Sequence, residues 1–86
     1  MDTEKKYPYT VSVSQSEENE LQKFTREVGP RLKAVYPLLG RDGSHQEVMT
    51  GVLRLLLTDI MEIYNRPGSW EASHMRDVLR AHGLMD

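Results

Sequence analysis

The chain contains no cysteine among its 86 residues. It can therefore build neither a disulfide framework nor a thiolate metal site, a composition that fits a reducing compartment. No apolar run approaches the roughly 20 residues that a membrane span requires. The segment Met1–Tyr9 is charged and lacks the apolar core of a signal peptide. The sequence predicts a soluble, cytoplasmic protein without a membrane partner.

The residue patterns that accompany common enzyme chemistries are missing as well. The three histidines, His45, His74 and His82, show neither HxxxH nor HExxH spacing. Gly40 and Gly43 bracket a charged turn that lacks the lysine of a phosphate-binding loop. We expect no enzymatic activity, no metal and no cofactor.

A chain of this length forms one small domain, and domains of this size are only marginally stable alone. Association with other chains is one of the few remaining ways to add stability. The net charge of −2 argues against indiscriminate coating of nucleic acid. Positive charge is nevertheless concentrated in residues 23–41, where Glu27 is the only acidic residue. This segment is either the solvated side of a helix and loop or an electropositive patch that a dimer would present twice.

The segment Val48–Tyr64 has the strongest helical pattern in the chain. Ser44 and Glu47 precede it in the S-x-x-E spacing of a capping box. Eleven of its 17 residues are apolar, so a helix here would be apolar on nearly every side. Few other segments remain to cover such a helix. The pattern therefore favours an obligate dimer in which a second copy covers it.

A short stretch near the N-terminus has the alternation of a β-strand. Tyr9, Val11 and Val13 alternate with Thr10, Ser12 and Ser14. A single strand cannot satisfy its own backbone hydrogen bonds. It is therefore expected to pair with the same strand of a second copy, which is an independent argument for a dimer.

Two further helices are expected around the central one. The first begins at Ser14 or Ser16 and carries Leu21, Phe24 and Val28 on one face. Gly29-Pro30 should end it, kink it or open a new helical turn. The last helix is capped by Ser69, and Gly83 occupies the place of a left-handed residue in a Schellman motif. The expected division is a tail over 1–8, a dimerisation and binding domain over 9–65, and a helical extension over 66–86.

The order of these elements resembles that of the ribbon-helix-helix DNA-binding family. Thr10–Ser14 followed by Glu17–Phe24 is similar to the family's ribbon and first helix. Gly43–Val48, with the apolar residues that follow, is similar to its capped second helix. The resemblance implies a mainly α fold with one N-terminal β-strand. Two chains would form an intersubunit, two-stranded antiparallel ribbon, and each would add an extra C-terminal helix.

For function, the resemblance implies a homodimer that binds double-stranded DNA sequence-specifically, as a transcriptional repressor or a plasmid or phage accessory protein. The ribbon would read bases in the major groove. The base-contacting residues would be Thr10, Ser12 and Ser14. The phosphate-contacting residues would be Lys5, Lys6, Lys23, Arg26, Ser44, His45 and Gln46. The dimer core would consist of Val11, Val13, Val48, Val52, Leu53, Leu56, Leu57 and Ile60.

A second hypothesis stays open on the residues alone. The chain could be a small α-helical adaptor or inhibitor that docks on another protein through a surface around Tyr36, Tyr64 and Trp70. Under both the DNA-binding and the adaptor hypothesis, residues 66–86 could also contact a protein partner. The segment Tyr9–Ser14 separates the two hypotheses, because a paired strand favours DNA binding and an extended arm favours the adaptor.

Overall fold

The computed structural model describes residues 4–39 and 42–86 of the chain. Three α-helices account for 67% of these residues. They are α1, Gln15–Val35; α2, His45–Asn65; and α3, Trp70–Ala81. None of the three is long and apolar enough to cross a membrane. The start of the expected tail, residues 1–3, and Arg41 of the basic segment lie outside the described residues.

The predicted β-strand and the ribbon-helix-helix architecture are wrong. The described parts of the chain contain no β-strand, and residues 4–14, the extended segment, form no regular secondary structure before α1. Tyr9 is 86% exposed and Val11 is 85% exposed, so the alternating side chains face solvent on both sides. The physical reason is that alternation stabilises a strand only where a neighbouring strand and a core receive it. Helices offer no such edge, and the three elements of this chain are all helices.

A complete capping box begins α1. The Ser14 hydroxyl accepts a hydrogen bond from the Glu17 backbone N–H at 3.2 Å. In return the Glu17 carboxylate accepts one from the Ser14 backbone N–H at 2.7 Å. Ser14, not Ser16, is therefore the N-cap. The reciprocal bonds satisfy two backbone donors that the first helical turn leaves without partners.

The start of α2 uses a different version of this arrangement. The Ser44 hydroxyl accepts from the Glu47 backbone N–H at 3.2 Å, as predicted. The Ser44 backbone N–H donates to the Asp42 carboxylate at 2.9 Å, so Asp42 fills the place expected for the Glu47 side chain. Only half of the predicted capping box is therefore present. The helix itself, expected from about Ser44 to Tyr64, is confirmed to within one residue at each end.

Pro30 lies inside α1, which continues for five residues beyond it. Proline normally disfavours a helical residue before it, partly because its ring crowds the Cβ of that residue. Gly29 has no Cβ, which removes this part of the clash. Gly29 is also buried against α2, where an added Cβ would lie 3.3 Å from a methyl of Val48. One glycine thus permits both the continued helix and the close approach of α1 to α2.

The core is small and lies on one side of α2. Its buried apolar side chains are Leu32, Val48, Ile63 and Ala72. Within the described residues, α1 and α3 each pack against α2 and not against each other. The chain is therefore an open arrangement of three helices with α2 in the middle.

The predicted end of α3 is confirmed. Gly83 has a φ of 75°, which glycine adopts without a steric penalty. The Leu84 N–H donates to the Leu79 carbonyl at 2.9 Å, and the Gly83 N–H donates to the Arg80 carbonyl at 3.0 Å. These are the two hydrogen bonds of a Schellman motif. The chain is thereby turned away from the helix axis after Ala81.

The contact between Gly29 and Val48 yields a prediction for stability. Gly29→Val should destabilise the chain by roughly 1–3 kcal/mol, because the added carbon atoms must displace a fully buried side chain. Gly68→Val is the matched control, since an added Cβ there meets no atom within 4 Å. Urea denaturation of both variants measures the difference. Equal stability of the two variants would contradict the close packing of α1 on α2.

The capping box of α1 yields a prediction for pH dependence. The hydrogen bonds from the Ser14 backbone and side chain lower the pKa of Glu17. A carboxylate whose pKa is lower in the folded state stabilises the fold above its unfolded pKa. This contribution is lost as the pH falls through the folded-state pKa. Thermal unfolding from pH 7 to pH 2 should show a stability loss on acidification that is smaller in Ser14→Ala, which lacks the hydroxyl, and in Glu17→Gln, which cannot titrate.

Candidate functional site

One side of α2 carries large apolar side chains that no other part of the described chain covers. Leu53 is 51% exposed, Leu57 is 48% exposed and Tyr64 is 76% exposed. We call this surface the α2 outer face; its residues are Leu53, Leu56, Leu57, Ile60, Met61 and Tyr64. Large apolar side chains gathered on one face of one helix typically mark a binding surface.

The α2 outer face follows from the helical repeat. Val48 and Gly51 are buried, and they lie on the side of α2 that packs within the chain. Leu53, Leu57 and Tyr64 project from the opposite side at about 100° per residue. The helices α1 and α3 therefore leave this side open. The apolar residues of α2 therefore form two separate surfaces: one packs inside the chain, and the other is the α2 outer face.

The spacing along the α2 outer face is that of a coiled-coil seam. The seam contains four residues of the α2 outer face and two polar residues that precede them in α2. Steps of four, three, four, three and four residues connect its positions, which are Gln46, Thr50, Leu53, Leu57, Ile60 and Tyr64. Such a seam packs against another helix by inserting each side chain between four residues of the partner. The sequence prediction treated all apolar residues of α2 as one set, and only separating them by heptad position would have revealed this seam.

The residues expected in a dimer core fall into three groups. Leu53, Leu56, Leu57 and Ile60 belong to the α2 outer face. Val48 is fully buried inside the single chain against Gly29, and Val52 is half-buried at the α1–α2 groove. Val11 and Val13 lie on the extended segment and are exposed. The structure therefore brings only the residues of the first group together on a surface that a second chain can reach.

A second apolar surface is the open groove between α1 and α2. It has a volume of about 530 Å³. Phe24 and Tyr36 lie at its exposed edge, whereas Leu32 is buried. The charged residues Glu27 and Arg31 also line it. This groove offers a binding surface to an apolar side chain, but it is formed by fewer exposed apolar groups than the α2 outer face.

The residues expected to contact DNA are distributed over the extended segment, α1 and the start of α2. Thr10 and Ser12 are exposed on the extended segment, and the Ser14 hydroxyl is used as the cap of α1. Lys5 and Lys6 line a shallow concavity with Arg54 of α2. Lys23 and Arg26 are exposed on α1, where Lys23 pairs with Glu20 at 3.1 Å. Ser44 caps α2, Gln46 is exposed beside it, and the His45 ring contacts α1.

The His45 contacts form a half-buried polar cluster between α1 and α2. Its Nε2 lies 2.7 Å from a carboxylate oxygen of Glu18. Its Nδ1 lies 2.8 Å from the hydroxyl of Thr25, which in turn donates to the Gln22 carbonyl at 3.2 Å. The row of carboxylate, imidazole and hydroxyl resembles the order of a catalytic triad. Thr25 is only 5% exposed, so its hydroxyl is too buried to meet a substrate, and the cluster serves to hold the two helices together.

The other aromatic and histidine residues of α3 interact locally. The Trp70 and His74 rings stack with centroids 3.7 Å apart, and the His74 ring donates from Nδ1 to the Trp70 carbonyl. Trp70 remains 71% exposed. Among the described residues, no group of three or more potential metal-binding side chains occurs together. The three residues expected to form an adaptor surface are all exposed: Tyr64 lies on α2, Trp70 lies on α3, and Tyr36 follows the end of α1.

The polar cluster between α1 and α2 yields a prediction for stability. His45→Ala and Thr25→Val should each destabilise the chain by roughly 1–3 kcal/mol, because each leaves a partly buried partner without its hydrogen bond. The double variant should lose less than the sum, with a coupling of about 0.5–1.5 kcal/mol. Urea denaturation of the four proteins measures this coupling. Strict additivity would show that the two side chains do not interact.

Comparison with known proteins finds no matching family model, no matching curated protein and no matching solved structure.

Proposed function

We propose that this chain is a small α-helical protein-binding module, and that its α2 outer face receives a helix from another protein chain. The observation that supports this proposal is the exposure of six large apolar side chains on the side of α2 opposite the core. Leaving such side chains in water forgoes about 1.5–3 kcal/mol for each one that could be fully buried. A partner that covers them recovers this stabilisation.

The expected partner element is a helix because of the regular spacing on α2. Leu53, Leu57, Ile60 and Tyr64 follow one another at heptad positions. A helix with the same repeat keeps contact along the whole row, whereas a strand or loop would meet it at one or two positions. Anchors separated by four, three and four residues are typical of a helix that packs on another helix. The half-exposed Leu56 and Met61 flank this row and can extend the contact.

Protein binding is favoured over DNA binding by the extended segment. The expected ribbon is absent from residues 9–14, so Thr10 and Ser12 are not held as a pair of strands that could enter a major groove. The overall charge of −2 also offers little attraction to phosphate groups. The binding experiment below therefore includes a DNA duplex, so that it can also detect DNA binding. We propose a cytoplasmic location on the sequence expectation alone.

A peptide-binding experiment tests this function. The probe is a synthetic helical peptide with leucine and isoleucine at its heptad positions, and its control is a scrambled peptide of the same composition. Fluorescence anisotropy at nanomolar peptide and low chain concentration measures the affinities. The heptad peptide should bind at least about tenfold more tightly, a difference of roughly 1.4 kcal/mol. A labelled random-sequence DNA duplex in the same buffer should not bind.

Two matched variants locate the binding surface. Leu57→Glu places a charge in the middle of the α2 outer face and should abolish peptide binding. Leu38→Glu makes the same substitution at an 83% exposed leucine outside the helices and should leave binding unchanged. Circular dichroism of both variants checks that the helices remain. Equal binding of the heptad and scrambled peptides, or tighter binding of the duplex than of either, would refute the proposed function.

A further inference from the structure

We infer that the helix that covers the α2 outer face is the α2 of a second copy of this chain, packed antiparallel to the first. This inference rests on the proposed function, since it names the partner of the same surface. Its first support is the size of the exposed surface. The chain exposes 7376 Å². A folded monomer of this mass exposes about 5,200 Å², so the excess is about 2,200 Å².

Two exposed features are consistent with this excess. Residues 4–14 are all exposed, and α2 exposes large apolar side chains on the side that α1 and α3 leave open. The radius of gyration of 14.9 Å shows the same openness. A compact chain of this length would have a radius of about 12 Å. One partner in a stable complex buries roughly 800 Å², which is well below the excess surface of this chain.

The small core is the second support. Among the described residues only four apolar side chains are almost completely buried, and one of them is Ala72. A single domain of this size normally needs a larger core, a metal or a disulfide, and the sequence contains no cysteine. A second copy adds an apolar layer on the other side of α2. Every molecule of the chain carries this layer. A second copy that can cover the α2 outer face is therefore present wherever the chain is made.

The pattern of polar residues along the seam determines the direction of packing. Its N-terminal positions are polar, Gln46 and Thr50, whereas Leu53 and the positions after it are apolar. A parallel pair would bury Gln46 and Thr50 against their own copies. An antiparallel pair centred between residues 58 and 59 instead buries only the apolar half of the seam. Thr50 then lies level with residue 67 of the second copy, beyond the end of its α2.

This antiparallel register pairs the apolar residues with one another. Leu57 lies opposite Ile60 of the second copy, and Leu53 lies opposite Tyr64 of the second copy. Arg54, which flanks the seam, comes level with the last turn of the second α2. In the single chain, Glu62 of that turn already pairs with Arg66 at the C-cap, at 3.6 Å.

Sedimentation equilibrium of the full chain over a wide concentration range tests the second copy as the partner. The parent should sediment at twice the chain mass of 9.9 kDa at the higher concentrations. Leu57→Glu should raise the dimer dissociation constant by at least about 100-fold, because both copies place a carboxylate in the apolar seam. Leu38→Glu should not change it. A dimer that Leu57→Glu leaves intact would overturn the inference.

Disulfide cross-linking tests the direction of packing, because the parent has no cysteine. The single variants Leu53→Cys and Tyr64→Cys, mixed and oxidised, should give a cross-linked pair that contains one copy of each. Thr50→Cys should give no cross-link with itself. A parallel pair would give the opposite result, since Thr50 would then face its own copy, and this result would overturn the antiparallel arrangement.

The two proposals fail in different ways. A parent chain that stays monomeric at every concentration, yet binds the heptad peptide through Leu57, would overturn the second copy and keep the protein-binding function. A monomeric chain that binds neither peptide would overturn both proposals. A dimer sensitive to Leu57→Glu supports both, because the second copy then supplies the helix that the peptide imitates.

Discussion

The structure depends on the two-sided character of α2. Both other helices pack against this helix and not against each other within the described residues, so one side of α2 supports the intrachain core. Val48 and Ile63 on that side are almost completely buried. The residues on the other side have the same chemical character but remain open. A helix that is apolar on most of its circumference normally lies in the middle of a larger structure. Here α1 and α3 cover one side of this helix and leave its other side open.

The approach of α1 to α2 is set by a few small or polar groups rather than by a wide apolar surface. Gly29 brings the backbone of α1 close to Val48, and the hydrogen bonds of His45 join the start of α2 to Glu18 and Thr25. Close packing determines the distance between the two helices, and the directional hydrogen bonds determine their register along the axis. These contacts fix the orientation of α2 and therefore the direction in which its open side points.

The helix ends could be predicted from the sequence because they depend on local chemistry. A serine at an N-cap or a glycine at a left-handed position acts on backbone groups within four residues of itself. The caps at Ser44 and Ser69 and the motif at Gly83 therefore appear where the residues indicate them. The role of Asp42 was not predicted, because both Asp42 and Glu47 lie close enough in sequence to accept a hydrogen bond from the Ser44 backbone N–H. Their spacing alone does not determine which of the two accepts it.

The strand could not be predicted reliably because its stability depends on distant partners. Alternation over Tyr9–Ser14 is compatible with a strand, but a strand forms only if another strand lies beside it. The same limit applies to Pro30, since the effect of a proline depends on whether packing holds the helix around it. The seam on α2 was recoverable in principle. The steps between Leu53, Leu57, Ile60 and Tyr64 are present in the sequence and needed only to be separated from the residues of the core.

The pairing of helices only with their neighbours in the chain has a consequence for the order of events in folding. Contacts between consecutive helices have a low contact order, and chains of this type fold in microseconds to milliseconds. An encounter between separate molecules depends on concentration and takes longer when the chain is dilute. In the proposed dimer, each newly made chain therefore completes its own helix packing first and then carries an open apolar face for an interval set by its abundance. During that interval it is most exposed to aggregation and to chaperones, and faster synthesis shortens the interval.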